Sequence, residues 1–111
     1  MEALVIPAEG KPYLTKVSGG YKQLQELVGG LIDAVSNDYA SAYVNDEGLL
    51  IGLKFNRIAS IIMGRYLVGD AVVCGHTDDE GNDLSVPLLA VENASWLCQA
   101  MEMHDESLER L

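Results

Sequence analysis

The acidic run that begins at His76 is a dense group of side chains able to bind metals. It comprises His76, Asp78, Asp79, Glu80 and Asp83. A calcium loop of the EF-hand type needs oxygen ligands at alternate positions, a central glycine and a distal glutamate, and this run lacks that pattern. The sequence therefore favours a solvated acidic turn over a metal site. We expect neither a bound metal nor a cofactor.

A group of basic residues surrounds the start of a predicted helix. Lys54, Asn56 and Arg57 are close in sequence, and Arg65 follows one or two turns later. Backbone N–H groups at a helix start, together with nearby cations, can hold a phosphate or a carboxylate. Two interpretations follow: a site for a small anion or nucleotide, or an asparagine N-cap with solvated basic neighbours. The sequence favours the second.

The residues that could act in catalysis do not form a recognisable set. Asp46 and Glu47 are adjacent in a predicted turn, where water solvates both carboxylates, whereas acid–base catalysis needs a cleft. Cys98 and His104 are six residues apart on a predicted helix, about 120° from each other around its axis. The chain contains neither a G-x-S-x-G turn nor a glycine-rich phosphate loop. The sequence therefore predicts a protein that is not an enzyme.

Charge and composition narrow the class of protein further. The 111 residues have a net charge of −10, with −2 in residues 1–70 and −8 in residues 71–111. Nucleic-acid binding requires basic side chains, so we expect no nucleic-acid partner. The chain has neither a signal peptide nor an apolar run of the roughly 20 residues that span a membrane, so we expect a cytoplasmic protein. Cys74 and Cys98 are expected to be reduced.

Apolar periodicity and turn residues divide the chain into short strands and three helices. The first predicted helix covers 21–28 and ends at Gly29. The second covers 57–63 and is capped by Asn56. The third begins at Ser85, with Pro87 in its first turn. Extended segments are predicted over 2–7, 13–17, 31–35, 40–44, 49–53 and 68–75. The pattern predicts a single α+β domain over residues 1–111. Its mixed or mainly antiparallel sheet has four to five strands, and its three helices include a long C-terminal one.

One β-hairpin is predicted from local signals. The apolar runs 40–44 and 49–53 flank a turn of Asn45, Asp46, Glu47 and Gly48. A turn that ends in glycine typically places that residue at positive φ. We therefore expect Gly48 to have a positive φ and the two runs to pair.

The last helix is apolar on two sides. Val91, Ala94, Leu97, Cys98, Met101 and Leu108 share one broad face, while Leu89, Trp96, Ala100 and Met103 share another. A helix of this kind needs two packing partners, of which one is its own sheet. The other is a second subunit or the N-terminal segment of the same chain. We expect a homo-oligomer, with a dimer as the first hypothesis, and an interface at Leu89, Trp96, Ala100 and Met103 anchored by Trp96.

A series of short motifs resembles the family known as domain of unknown function 3846. The motifs are Leu24-Gln25 with Gly29-Gly30, Asn45-Asp46-Glu47-Gly48, Gly52-Leu53 with Asn56 and Ala59, and 68–73 with Gly69-Asp70. The resemblance spans about residues 2–91 and leaves 92–111 as a C-terminal helical extension. It implies a small protein of bacteriophages or actinobacterial mobile elements, with no established catalytic residues.

These observations favour a protein that acts by binding. We expect a non-enzymatic phage accessory protein, a self-associating protein–protein interaction module that targets a host factor. An acidic second half suits a basic surface on such a partner, although solubility explains the same charge. The alternative is a protein that sequesters a small anion or nucleotide at Lys54, Asn56, Arg57 and Arg65.

Overall fold

A computed structural model describes residues 1–18, 20–81 and 84–109, with the side chains of the last helix described as far as Glu102. Five strands and three helices are formed. In chain order they are β1 (Glu2–Ile6), β2 (Tyr13–Lys16), α1 (Tyr21–Val28), β3 (Ile32–Ser36), β4 (Ser41–Asn45), α2 (Arg57–Met63), β5 (Ala71–Cys74) and α3 (Leu88–Glu109). The predicted α+β class, with a long C-terminal helix, is confirmed.

The five strands form one antiparallel sheet in the order β2-β1-β5-β4-β3. β1 and β2 make one hairpin, and β3 and β4 make another. β5 lies between the two hairpins and pairs with β1 on one side and β4 on the other. Every residue of β5 is buried, as expected for the central strand of a sheet covered on both faces.

Side chains alternate between the two faces of the sheet, and each face has its own core. Leu4 and Ile6 of β1 face α2 and α3, whereas Ala3 and Val5 face α1. This alternation is the two-residue period of a strand. α2 and α3 also pack against each other on their side of the sheet.

The predicted hairpin between 40–44 and 49–53 is wrong. Both edges of β4 are already occupied, one by β3 and the other by β5, so no edge is left for residues 49–53. These residues instead form a compact loop in which Ile51 N–H donates to the Glu47 carbonyl and Leu53 N–H to the Gly48 carbonyl. Gly48 does not have a positive φ. A Cβ there would lie 2.8 Å from Val68 Cγ2, so the glycine is explained by close packing.

β4 forms a hairpin with β3 instead, and the turn of that hairpin lies at residues 37–40. Asn37 Oδ1 accepts hydrogen bonds from the N–H groups of Tyr39 and Ala40. Its backbone N–H donates to the Ala40 carbonyl. An asparagine side chain that bonds the backbone two or three residues later stabilises such turns.

The helices follow the local signals in the sequence, with two differences. Gly29 and Gly64 end α1 and α2 in the left-handed conformation, and Asn56 caps α2 by accepting from Ala59 N–H. α3 begins at Leu88, after the predicted start, because Ser85 Oγ accepts from Glu2 N–H and keeps that segment beside β1. Ile61 is an apolar residue within α2, yet its side chain is 56% exposed.

Candidate protein-interaction surface

The outward face of α3 carries large apolar side chains that the protomer does not cover. Trp96 is 67% exposed and Leu89 is 54% exposed, and Leu88 beside them is also exposed. Ala100 is half-buried, and the side chain of Met103 lies outside the described residues. Three of the four predicted interface residues are therefore described, and the two largest of these are mainly accessible to solvent.

The opposite face of α3 explains why these side chains cannot turn inward. Ala90 and Ala94 are almost completely buried in the core that α3 shares with α2 and the sheet, and the partly buried Leu97, Cys98 and Met101 pack around them. Small residues at a helix contact let α3 pack closely against its neighbours. Since Leu89 and Trp96 lie on the other side of the helix, no rotation of their side chains can bring them into this core.

A hollow of about 210 Å³ lies between α2 and α3 and is called here the α2–α3 hollow. It is lined by Tyr39, Ile61, Ile62, Asn93, Trp96 and Leu97. The Tyr39 hydroxyl donates to the Ile62 carbonyl at 2.7 Å, which fixes the tyrosine ring in the wall. The hollow is mainly apolar and has the size of one large side chain, well below the volume of typical small-molecule sites.

The predicted anion-site residues have different structural roles. Asn56 is 1% exposed, and its Nδ2 group donates to the carbonyls of Ile6 and Gly69 at 2.7 and 2.9 Å. Its Oδ1 accepts from Ala59 N–H, so this side chain has no atom left for a ligand. Lys54 forms an ion pair with Glu9. Arg57 and Arg65 are exposed.

A wider cleft of about 590 Å³ lies beside Lys54, and its charge does not suit an anion. The cleft is lined by three carboxylates, of Glu9, Glu26 and Asp70, against the single cation of Lys54. Asp70 Oδ1 accepts from Ala8 N–H at 2.9 Å, a contact that holds the segment after β1 in place. The excess of carboxylates would repel a phosphate or nucleotide at this cleft.

The acidic run after β5 contacts the turn between β3 and β4 and makes a hydrogen bond within itself. His76 Nε2 lies 2.8 Å from the Asn37 carbonyl, and Asp78 Oδ1 accepts from Glu80 N–H at 2.9 Å. Asp83 lies outside the described residues. Within the described ranges, no three His, Cys, Asp or Glu side chains are grouped so that they could hold a metal ion.

Three neighbouring apolar side chains of the β4–α2 loop are exposed, although the sequence predicts an extended segment over 49–53. Leu49, Leu50 and Ile51 are all exposed at the surface. The run lies between Gly48 and Gly52, of which Gly52 has a positive φ of 73°. Two glycines that flank a short apolar run are the local signal that identifies a turn here.

The two cysteines lie on different elements of the fold. Cys74 is buried at the end of β5, and Cys98 is half-buried on α3. No disulfide joins these two described residues. The side chain of His104, the other member of the Cys–His pair considered from the sequence, lies outside the described residues.

The fold and surface define a small α+β sheet protein with helices on both faces and an uncovered apolar face on its last helix. The chain belongs to the family described as Domain of unknown function (DUF3846), whose model matches residues 1–94. The match covers all five strands and ends within α3. No curated protein and no solved structure gives a significant match. None of the described helices has the length and apolar character needed to cross a bilayer.

Proposed function

We propose that this protein acts by binding other proteins, in a self-associated form whose interface includes the outward face of α3. The partner beyond a second copy is a host protein in the cytoplasm, in line with the phage setting that the family resemblance implies. The proposal assigns no catalytic activity. Its support is the exposed apolar surface, together with the lack of a recognisable catalytic set in the sequence.

The exposure of Trp96 is the observation that carries the proposal. Tryptophan is enriched at the centres of protein interfaces, because its large apolar ring and single N–H group suit a contact from which water is excluded. Here it projects from a helix with Leu88 and Leu89 on the same side, and Ile61 of α2 lies across the α2–α3 hollow. Contiguous apolar surface of this kind favours association over solvation.

Replacement of Trp96 by alanine tests this proposal. We expect the wild-type chain to sediment with twice the mass of one chain at high micromolar concentration, and the Trp96→Ala variant to sediment as a monomer. Loss of an interface tryptophan typically costs about 2 kcal/mol or more, which weakens association about 30-fold. Sedimentation equilibrium measures both masses.

The matched control for this measurement is Tyr21→Ala. Tyr21 is an aromatic residue 71% exposed on α1, on the opposite side of the sheet. We expect it to leave the mass unchanged. A wild-type chain that stays monomeric across the concentration range would refute self-association. Trp96 is the only tryptophan in the chain, so its fluorescence should also shift to shorter wavelength as the concentration rises.

The alternative function, capture of a small anion or nucleotide, has its own test. We expect a panel of nucleotides to leave the melting temperature of the protein unchanged, because Asn56 is fully occupied and carboxylates outnumber cations in the adjacent cleft. A ligand that binds the folded state must raise that temperature. A concentration-dependent rise that Lys54→Ala and Arg57→Ala abolish would support the anion site instead.

A further inference from the structure

Four side chains on the outward side of α3 follow a regular spacing along the helix. Leu89, Asn93, Trp96 and Ala100 are separated by four, three and four residues, and we call this set the α3 stripe. Alternation of three and four keeps side chains on one narrow line, the spacing found where two helices pack side by side. The stripe faces away from Ala90 and Ala94, which are buried in the protomer's own core.

The α2–α3 hollow lies directly beside this stripe. Asn93 and Trp96 form part of its wall, and Tyr39, Ile61, Ile62 and Leu97 form the rest. An apolar pocket with one amide at its edge suits an indole ring, whose N–H group can donate to the Asn93 side-chain oxygen. The chain itself offers one such ring, at Trp96.

From this juxtaposition we infer that the α2–α3 hollow receives Trp96 of a second copy, with the two α3 helices antiparallel. The inference rests on the proposed self-association and specifies its geometry. A two-fold axis between residues 94 and 95 places Trp96 of each copy opposite Asn93 of the other. The same axis places Leu89 opposite Ala100, so that each layer of the stripe joins a larger side chain to a smaller one.

Packing favours this arrangement over a parallel one. In a parallel pair, identical residues face each other, so Trp96 would meet Trp96 and Ala100 would meet Ala100. That arrangement crowds one layer and leaves a gap in another, whereas interfaces pack to the density of protein interiors. The antiparallel pair makes the described layers more even, because each joins a larger side chain to a smaller one.

Charge favours the same orientation. Between residues 88 and 101 the only charged side chain is Glu92, whereas residues 102–109 contain Glu102, Asp105, Glu106 and Glu109. A parallel pair would bring both acidic ends together. An antiparallel pair places the acidic end of each helix beyond the neutral half of the other, and it also opposes the two helix dipoles. Glu92 then lies beside Gln99 of the second copy.

Disulfide cross-linking distinguishes the two orientations. In a Cys98→Ser background, Leu89→Cys and Ala100→Cys are purified separately, oxidised alone or mixed, and analysed by non-reducing electrophoresis. We expect the mixture to form a disulfide-linked dimer and each variant alone to remain uncross-linked. Two copies of residue 89 are then about 16.5 Å apart along the helix axis, whereas a disulfide needs Cα atoms within about 7 Å.

The possible outcomes distinguish a failure of the antiparallel geometry from a failure of self-association. A dimer by sedimentation in which Leu89→Cys cross-links to itself overturns the antiparallel geometry and leaves self-association intact. A dimer with no cross-link in any arm also overturns it, since residues 89 and 100 are then not opposed. A monomeric wild-type chain overturns both.

A matched pair of variants tests the hollow itself. Ile61 and Ile51 are both 56% exposed, and only Ile61 lines the α2–α3 hollow. We expect Ile61→Glu to weaken the dimer at least about tenfold, because it places a carboxylate where the indole binds, and Ile51→Glu to leave it unchanged. Equal dimer affinity for both variants would show that the indole of the second copy binds elsewhere.

Discussion

Replacing Asn56 with alanine is expected to lower the free energy of unfolding by about 3–5 kcal/mol, a large share of the stability of a small domain. The side chain makes three hydrogen bonds in a buried position. It caps α2 through Ala59 N–H and donates to the carbonyls of Ile6 and Gly69. Alanine removes the cap and leaves two buried carbonyls without this donor. Urea unfolding followed by circular dichroism measures the change.

An aspartate at the same position separates the two roles of Asn56. Aspartate caps helices as well as asparagine does, so Asn56→Asp would be nearly neutral if capping were the whole role. We expect it instead to destabilise the fold at least as much as alanine, because an anionic oxygen then faces the carbonyls of Ile6 and Gly69. All variants are compared at one protein concentration, because self-association adds to apparent stability. Wild-type stability in Asn56→Asp would contradict the bridging role.

Gly75→Ala is expected to have the second-largest effect, a loss of about 2–3 kcal/mol from overpacking. Gly75 N–H donates to the Leu84 carbonyl at 2.7 Å, and an added Cβ would lie 2.7 Å from the Ser85 carbonyl oxygen. That oxygen belongs to the backbone, so no change of rotamer relieves the clash. Segment 84–86 must move, and it holds both the Ser85 Oγ that accepts from Glu2 N–H and the Val86 N–H that donates to the Glu2 carbonyl.

Gly20→Ala is the control for this substitution. A Cβ at Gly20 would meet no atom within 4 Å, and its φ of −144° is accessible to any residue. We expect a loss below about 1 kcal/mol, from the weaker N-cap preference of alanine at the start of α1. Thermal unfolding of both variants gives the comparison. A Gly75→Ala protein as stable as Gly20→Ala would show that segment 84–86 adjusts without cost.

The helices could be predicted because their signals are local. The apolar period of α1, the Gly29 and Gly64 ends and the Asn56 cap all lie within a few residues of the elements they define. The two apolar faces of α3 were also visible as periodicity, although their packing partners were not. The position of Trp96 on the surface follows from its phase relative to Ala90 and Ala94.

Strand pairing could not be predicted, nor could the hydrogen bonds that Asn56 donates to Ile6 and Gly69, because both depend on distant residues. β4 pairs with β5, about 30 residues later, and this pairing excludes the hairpin expected from the 45–48 turn. Asn56 donates to Ile6, 50 residues earlier. The outward position of Ile61 depends on where α3 lies against α2. No local pattern contains these contacts.

The central place of β5 has a consequence for biosynthesis. Each hairpin is complete in the first 45 residues, yet the two are joined in the sheet through β5, which the ribosome makes later. An isolated two-stranded hairpin is marginally stable in water. The nascent chain therefore cannot assemble its sheet until residue 74 has left the exit tunnel. Residues 1–74 must be translated before the sheet folds, and until then the two hairpins remain open to proteases and chaperones.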